Sequence, residues 1–141
     1  MKEKLLSVIT IFIMLLGVSG CGKVGVKTVI CESEKVGNSP EIIYYEVYEV
    51  KDNEIISFEK YNIRTFDAEY LKLVSLDETI DVYKKDKEIK IEKISDKQLK
   101  IIDTNPVNVF KNSKSDDMTK FIVDSMERSD FSLYKFTCEV K

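Results

Sequence analysis

The chain has no histidine and no tryptophan, and only five glycines, two prolines and three cysteines among 141 residues. Without imidazole there is no Ser-His-Asp or Cys-His arrangement, because both need a group that shuttles a proton near neutral pH. Histidine-rich metal centres go with them, and two cysteines beyond the first supply half of a zinc shell. No cofactor and no metal site are therefore expected. Beyond the N-terminal segment the glycines are Gly22, Gly25 and Gly37, all early in the chain, so no glycine loop cradles a phosphate. Acids outnumber bases 25 to 22. That balance argues against a nucleic-acid partner, which wants a basic face, and against a polybasic grip on anionic lipid. There is no internal repeat, low-complexity segment or long linker, and Pro40 and Pro106 both fall where loops are expected.

What is present begins with MKEKLLSVITIFIMLLGVSGC. Lys2 and Lys4 make a basic start, Leu5 to Leu16 is apolar except for Ser7 and Thr10, and Gly17, Ser19 and Gly20 are small. These are the three parts of a secretory signal. The apolar part is short for a bilayer span, which takes about 20 residues; a retained anchor helix is the alternative. Val18 to Cys21, VSGC, resembles the lipobox of bacterial lipoproteins, with valine where leucine is more usual. The resemblance implies that residues 1–20 are removed, that Cys21 becomes the N-terminus, and that its thiol carries a diacylglyceryl group. Two acyl chains give stable anchoring where one gives marginal binding. The membrane partner would be reached through this anchor, with the body on the extracytoplasmic side. Residues 21–25, CGKVG, are then a tether that reaches under about 20 Å, and residues 26–141 form a single domain. Without its signal the chain is slightly more acidic, because Lys2, Lys4 and Glu3 leave with it.

Cys31 and Cys138 remain. Export would place them where disulfides persist, and a bridge between them would close almost the whole domain into one loop; two separate buried thiols are the alternative.

The expected elements follow from periodicity. VKTVICES (Val26 to Ser33) and EIIYYEVYEV (Glu41 to Val50) read as strands rich in β-branched and aromatic residues. KDNE is a turn, and Ile55 to Phe66 the return strand, with Ile56 and Phe58 alternating against Ser57 and Glu59. Leu73, Leu76, Ile80 and Tyr83 recur at helical spacing, which predicts one helix from about Ala68 to Lys84, capped by Thr65 or Asp67. EIKIEKI and QLKIID follow as short strands around an SDK turn. Met118, Phe121, Ile122, Ser125 and Met126 mark a second helix, capped by Ser115 or Asp116, with Asp116 and Asp117 at its positive end. Tyr134, Phe136, Cys138 and Val140 share a face of the last strand. The expected class is α+β, with element order βββαββαβ: an antiparallel sheet with two helices packed on one face.

In the lipobox cysteine Cys21, the early TVICE with Cys31, the hairpin and helix, and the closing YKFTCEVK with Cys138, the chain resembles small bacterial lipoproteins of the YehR-like kind. That resemblance implies a compact exported α+β domain and carries over no catalytic residue.

For chemistry, the residues offer carboxylates and tyrosines. Glu46, Glu49, Glu59 and Asp103 are candidates for the paired acids of a hydrolase. Tyr44 and Tyr48 share one face of a strand and Tyr45 the other, as sheet packing or as a ligand platform. The lysine-rich run Tyr83 to Lys93 reads as a solvated face, with weak contact to phospholipid or wall polymer as the alternative. The function expected is a membrane-anchored, extracytoplasmic, non-enzymatic binding or accessory domain of the cell envelope, partnered by an envelope protein or a small ligand. An envelope hydrolase using paired carboxylates is the alternative.

Overall fold

The computed structural model describes residues 25–128 and 133–141. Residues 1–20, expected as a signal, and Cys21 with residues 22–24 of the expected tether lie outside the described residues.

Two long strands, β2 (Glu41–Lys51) and β3 (Glu54–Thr65), form the central hairpin. Their turn puts Asp52 and Asn53 at φ of 51° and 60°, the left-handed conformation that short polar side chains tolerate best after glycine and that two-residue hairpins require. β1 (Val26–Ser33) pairs with β2 on one side, and β5 (Gln98–Asp103) pairs with β3 on the other. β6 (Phe136–Val140) and β4 (Ile89–Ser95) complete the two edges. The result is a six-stranded antiparallel sheet in the order β4-β5-β3-β2-β1-β6. The connection from β1 to β2 turns at Gly37, whose φ is +74° and where a Cβ would meet the Pro40 carbonyl oxygen at 2.9 Å.

The architecture is α+β as expected, and among the described residues three helices lie on one face of the sheet. α3 (Met118–Glu127) packs on β1 and β6, burying Met118, Ile122 and Met126 against Val29, Cys31, Tyr48 and Phe136. α1 (Ala68–Leu73) and α2 (Leu76–Tyr83) cover the other end, where Phe66, Leu76 and Leu99 form a second, smaller core. The chain thus has two cores on one face, one at each end of the sheet.

Cys31 and Cys138 are directly opposed on β1 and β6 and joined by a disulfide, closing a sequence separation of 107. The chain-entropy account of such a loop gives about 4–5 kcal/mol.

Three expectations need correction. The single helix expected from Ala68 to Lys84 is two. Val74 and Ser75 are extended, and Ser75 starts a new helix through a capping box: its hydroxyl accepts from the Glu78 amide at 3.2 Å, while the Glu78 carboxylate accepts from the Ser75 amide at 2.9 Å. Two satisfied amides at this start outweigh continuing the first helix. Leu73, expected on the buried stripe, is left 86 % exposed. In β3, a bulge opposite Glu49 and Val50 places Ile55 and Phe58 against the core and leaves Ile56 exposed, where strict alternation puts Ile56 with Phe58. The cap of α3 is Asp117, whose carboxylate accepts from the Lys120 amide at 3.0 Å, rather than Ser115 or Asp116. At the first helix Asp67 is the cap, accepting from the Tyr70 amide.

Ser75→Ala removes one half of the capping box. It should lower unfolding free energy by about 1 kcal/mol, read as a lower urea midpoint at unchanged slope; an unchanged midpoint would show that the helix break is held by packing alone.

Candidate functional site

The register dictates which side chains meet between the two cores. On β2 and β3 the helix-covered face carries Tyr48 and Phe58, then Glu46 opposite Lys60, then Tyr44 opposite Asn62, then Arg64 opposite Leu99 of β5. Glu46, Lys60, Asn62 and Arg64 thus form a polar band across the middle of a face that is apolar at both ends. Arg64 is held within it: its Nε donates to Asn62 Oδ1 at 3.0 Å and its Nη1 donates to the Tyr83 hydroxyl at 2.7 Å, with the guanidinium 5.0 Å from the Tyr83 ring centre.

Over this band lie two adjoining hollows that share Tyr44 and Lys60 as lining residues. The first, of about 260 Å³, is mainly apolar: Val107 and Val109 come from the segment between β5 and α3, Met126 from α3, and Tyr134 and Phe136 from the chain around β6. Tyr44 and Tyr134 stack with ring centres 4.9 Å apart and planes 8° from parallel. Val107 and Val109, on the rim, are 77 % and 53 % exposed. Glu46 sits at the base. The Tyr48 hydroxyl donates to its Oε2 at 2.5 Å, and Lys60 Nζ lies 3.7 Å from its Oε1. The second hollow, of about 190 Å³, carries the carboxylates of Asp86, Glu88 and Asp103 among its lining. Asp86 accepts from the Glu88 amide and Asp103 from the Asn105 amide, both at 2.9 Å, so each has one oxygen engaged in its own turn. Among the described residues, four acids, Glu46, Asp86, Glu88 and Asp103, and one lysine, Lys60, belong to the lining of the two hollows.

The structure separates the four acids singled out in the sequence. Glu46 and Asp103 border this groove. Glu49 and Glu59 sit on the opposite face, which carries no helix among the described residues, and there Glu59 lies 3.6 Å from Lys100. Among the described residues no three cysteine, aspartate or glutamate side chains converge to hold a metal ion. Of the strand tyrosines, Tyr48 is core, Tyr44 is groove wall, and Tyr45 stacks on Tyr61 at 4.9 Å on the helix-free face. Sequence reasoning missed Lys60, Val107, Val109 and Tyr134 as groove residues. Val107 and Val109, which follow Pro106 in an otherwise polar stretch, were a usable signal; the pairing of Tyr134 with Tyr44, ninety positions away in sequence, was not.

Compared with protein-family models, with curated proteins and with solved structures, the chain matches none. Among the described residues no helix is long and apolar enough to cross a membrane.

The tyrosines carry the clearest electrostatic signature. Burial pushes Tyr48 far above the ordinary tyrosine value, and the charge of Glu46 and its hydrogen bond add to the shift. Burial raises Tyr44 too, with its contact to Tyr134 adding. Tyr45 is pushed up to about 12, by burial first and then by the Glu32 carboxylate beside it. A tyrosine that stays protonated in the folded protein while its unfolded counterpart ionises from 10.0 upward favours unfolding at alkaline pH. Its contribution is intact below 10.0 and is lost as pH climbs through about 12. Native tyrosinate absorbance should therefore lag that of the denatured chain over this range, with unfolding midpoints falling in parallel. Tyr45→Phe should flatten the decline, and a native titration that overlays the denatured one would contradict the burial assigned to these rings.

Proposed function

We propose that the chain is a lipid-anchored, extracytoplasmic domain that binds rather than turns over its partner; from the small YehR-like lipoproteins it resembles comes only the compact exported α+β domain. The anchoring half of the reading is supported by VSGC at Val18 to Cys21 behind a basic and then apolar start. The disulfide between Cys31 and Cys138 supports export, because such bonds persist in oxidising compartments. The binding half is carried by one observation, the groove over the polar band. It combines an apolar wall with a few charged residues in its lining, which is the general make-up of small-ligand sites. With Cys21 tethered and at most about 3.5 Å gained per residue to Val26, the body stays close to the lipid surface.

The test of anchoring is intact-mass analysis with labelled fatty acid. The wild-type chain should begin at Cys21 and carry acyl mass, and Cys21→Ala should incorporate no label and keep residues 1–20. A wild-type protein with an unmodified Cys21 thiol would overturn the anchor.

A second reading, hydrolysis by paired carboxylates, has one observation in its favour: Glu46 and Asp103 border the same groove. It requires turnover of an envelope glycan that Asp103→Asn abolishes with folding intact; wild-type protein without turnover would eliminate it.

A further inference from the structure

The groove differs between its two ends, and the difference points to a ligand class. One end offers aliphatic and aromatic walls, in Val107, Val109, Met126, Phe136 and the stacked pair Tyr44 and Tyr134. The other offers carboxylates, in Asp86, Glu88 and Asp103, with Glu46 at the junction. Among the described residues Lys60 is the one lysine of the lining, and its ammonium lies 3.7 Å from Glu46, so it offsets a single acid. Arg64, the other cation of the band, is bound to Asn62 and Tyr83. Negative charge therefore dominates the polar end. Electron-rich tyrosine faces adjoin it, and these attract cations as well. An anionic ligand would be repelled by both. The two hollows adjoin at Tyr44 and Lys60, which line both, so a small molecule seated over these two residues can reach both ends. The valines on the rim are large apolar side chains that folding leaves in water, so an apolar ligand body that covers them gains the burial the fold forgoes.

We propose that this groove binds a small organic amine with an apolar body: the body lies between Val107, Val109 and the stack of Tyr44 on Tyr134, and the ammonium turns toward Glu46 and Asp103. This rests on the binding half of the reading above and is independent of the anchor.

The probe is phenethylamine, titrated by calorimetry into the detergent-solubilised full-length protein, with phenylacetate as the anionic counterpart of similar shape. Phenethylamine should saturate at one site and bind at least about tenfold more tightly than phenylacetate, a difference of about 1.4 kcal/mol, and its affinity should fall as salt is raised. Glu46→Gln removes the junction charge while leaving an oxygen for the Tyr48 hydroxyl, and should weaken the amine about tenfold. Val109→Ser alters an exposed rim residue that the fold does not depend on, and should weaken it severalfold at unchanged thermal midpoint. Equal or tighter binding of phenylacetate, no saturation by phenethylamine, or an affinity untouched by Val109→Ser would each overturn the proposal. Localisation is read separately from intact mass, so a chain without lipid would sink the anchor and leave the groove standing.

Discussion

A band of four polar side chains across the middle of the covered sheet face, Glu46, Lys60, Asn62 and Arg64, governs the arrangement around it. A helix laid over that band would strip water from charged groups, and burying a charge costs several kcal/mol unless its partners are excellent. The helices instead settle on the apolar ends, α3 over β1 and β6, α1 and α2 over β5 and β4. Arg64, at the edge of the band, is covered by Tyr83 of α2; the gap between the helices leaves the rest of the band partly in water, and that gap is the groove. Within it the charges are only partly withdrawn from water. Glu46 has a side chain 14 % exposed and is satisfied by Tyr48, while Lys60 remains 45 % exposed.

With the core divided in two, neither half is large, and the disulfide compensates at the larger one. Cys31 is fully buried in the α3 core and opposes Cys138 across the β1–β6 pairing. The bond fixes the edge strand that follows α3, so the helix and the last strand are held to the sheet together. The Glu127 carboxylate accepts from the Cys138 amide at 3.1 Å and adds a second tie between the end of α3 and β6. The α2 core has no such bond. It depends on the Ser75 capping box and on the Arg64–Tyr83 contact to hold its helix down.

The helix-free face shows the complementary solution. Tyr45 stacks on Tyr61, and Lys100 places its ammonium 4.1 Å from the centre of the Tyr61 ring while lying 3.6 Å from Glu59. Long charged stems and tyrosine rings half-cover the strands there, with their polar ends in water. Among the described residues no second layer covers this face, an arrangement that antiparallel sheets tolerate.

Much of this was legible in the residues. Alternation located the strands, and the i, i+3, i+4 pattern of Met118 to Met126 located α3, because burial on one face leaves a periodic mark. The opposed faces of Tyr44 and Tyr45 follow from the same period of two. The break at Ser75 and the bulge beside Ile56 were not legible: each depends on a local competition, of capping against helix continuation and of strand twist against register, in which periodicity favours the losing side. The groove was least legible. By itself the sequence determined the strands, the last helix, the class and the signal-like start with Cys21, since these depend on residues near one another in the chain. Only the tertiary structure decided that Glu46 and Asp103 share a groove while Glu49 and Glu59 do not, that Tyr44 meets Tyr134, and that Cys31 faces Cys138. Each of these depends on which strands become neighbours, and strand order is set by packing across the whole sheet.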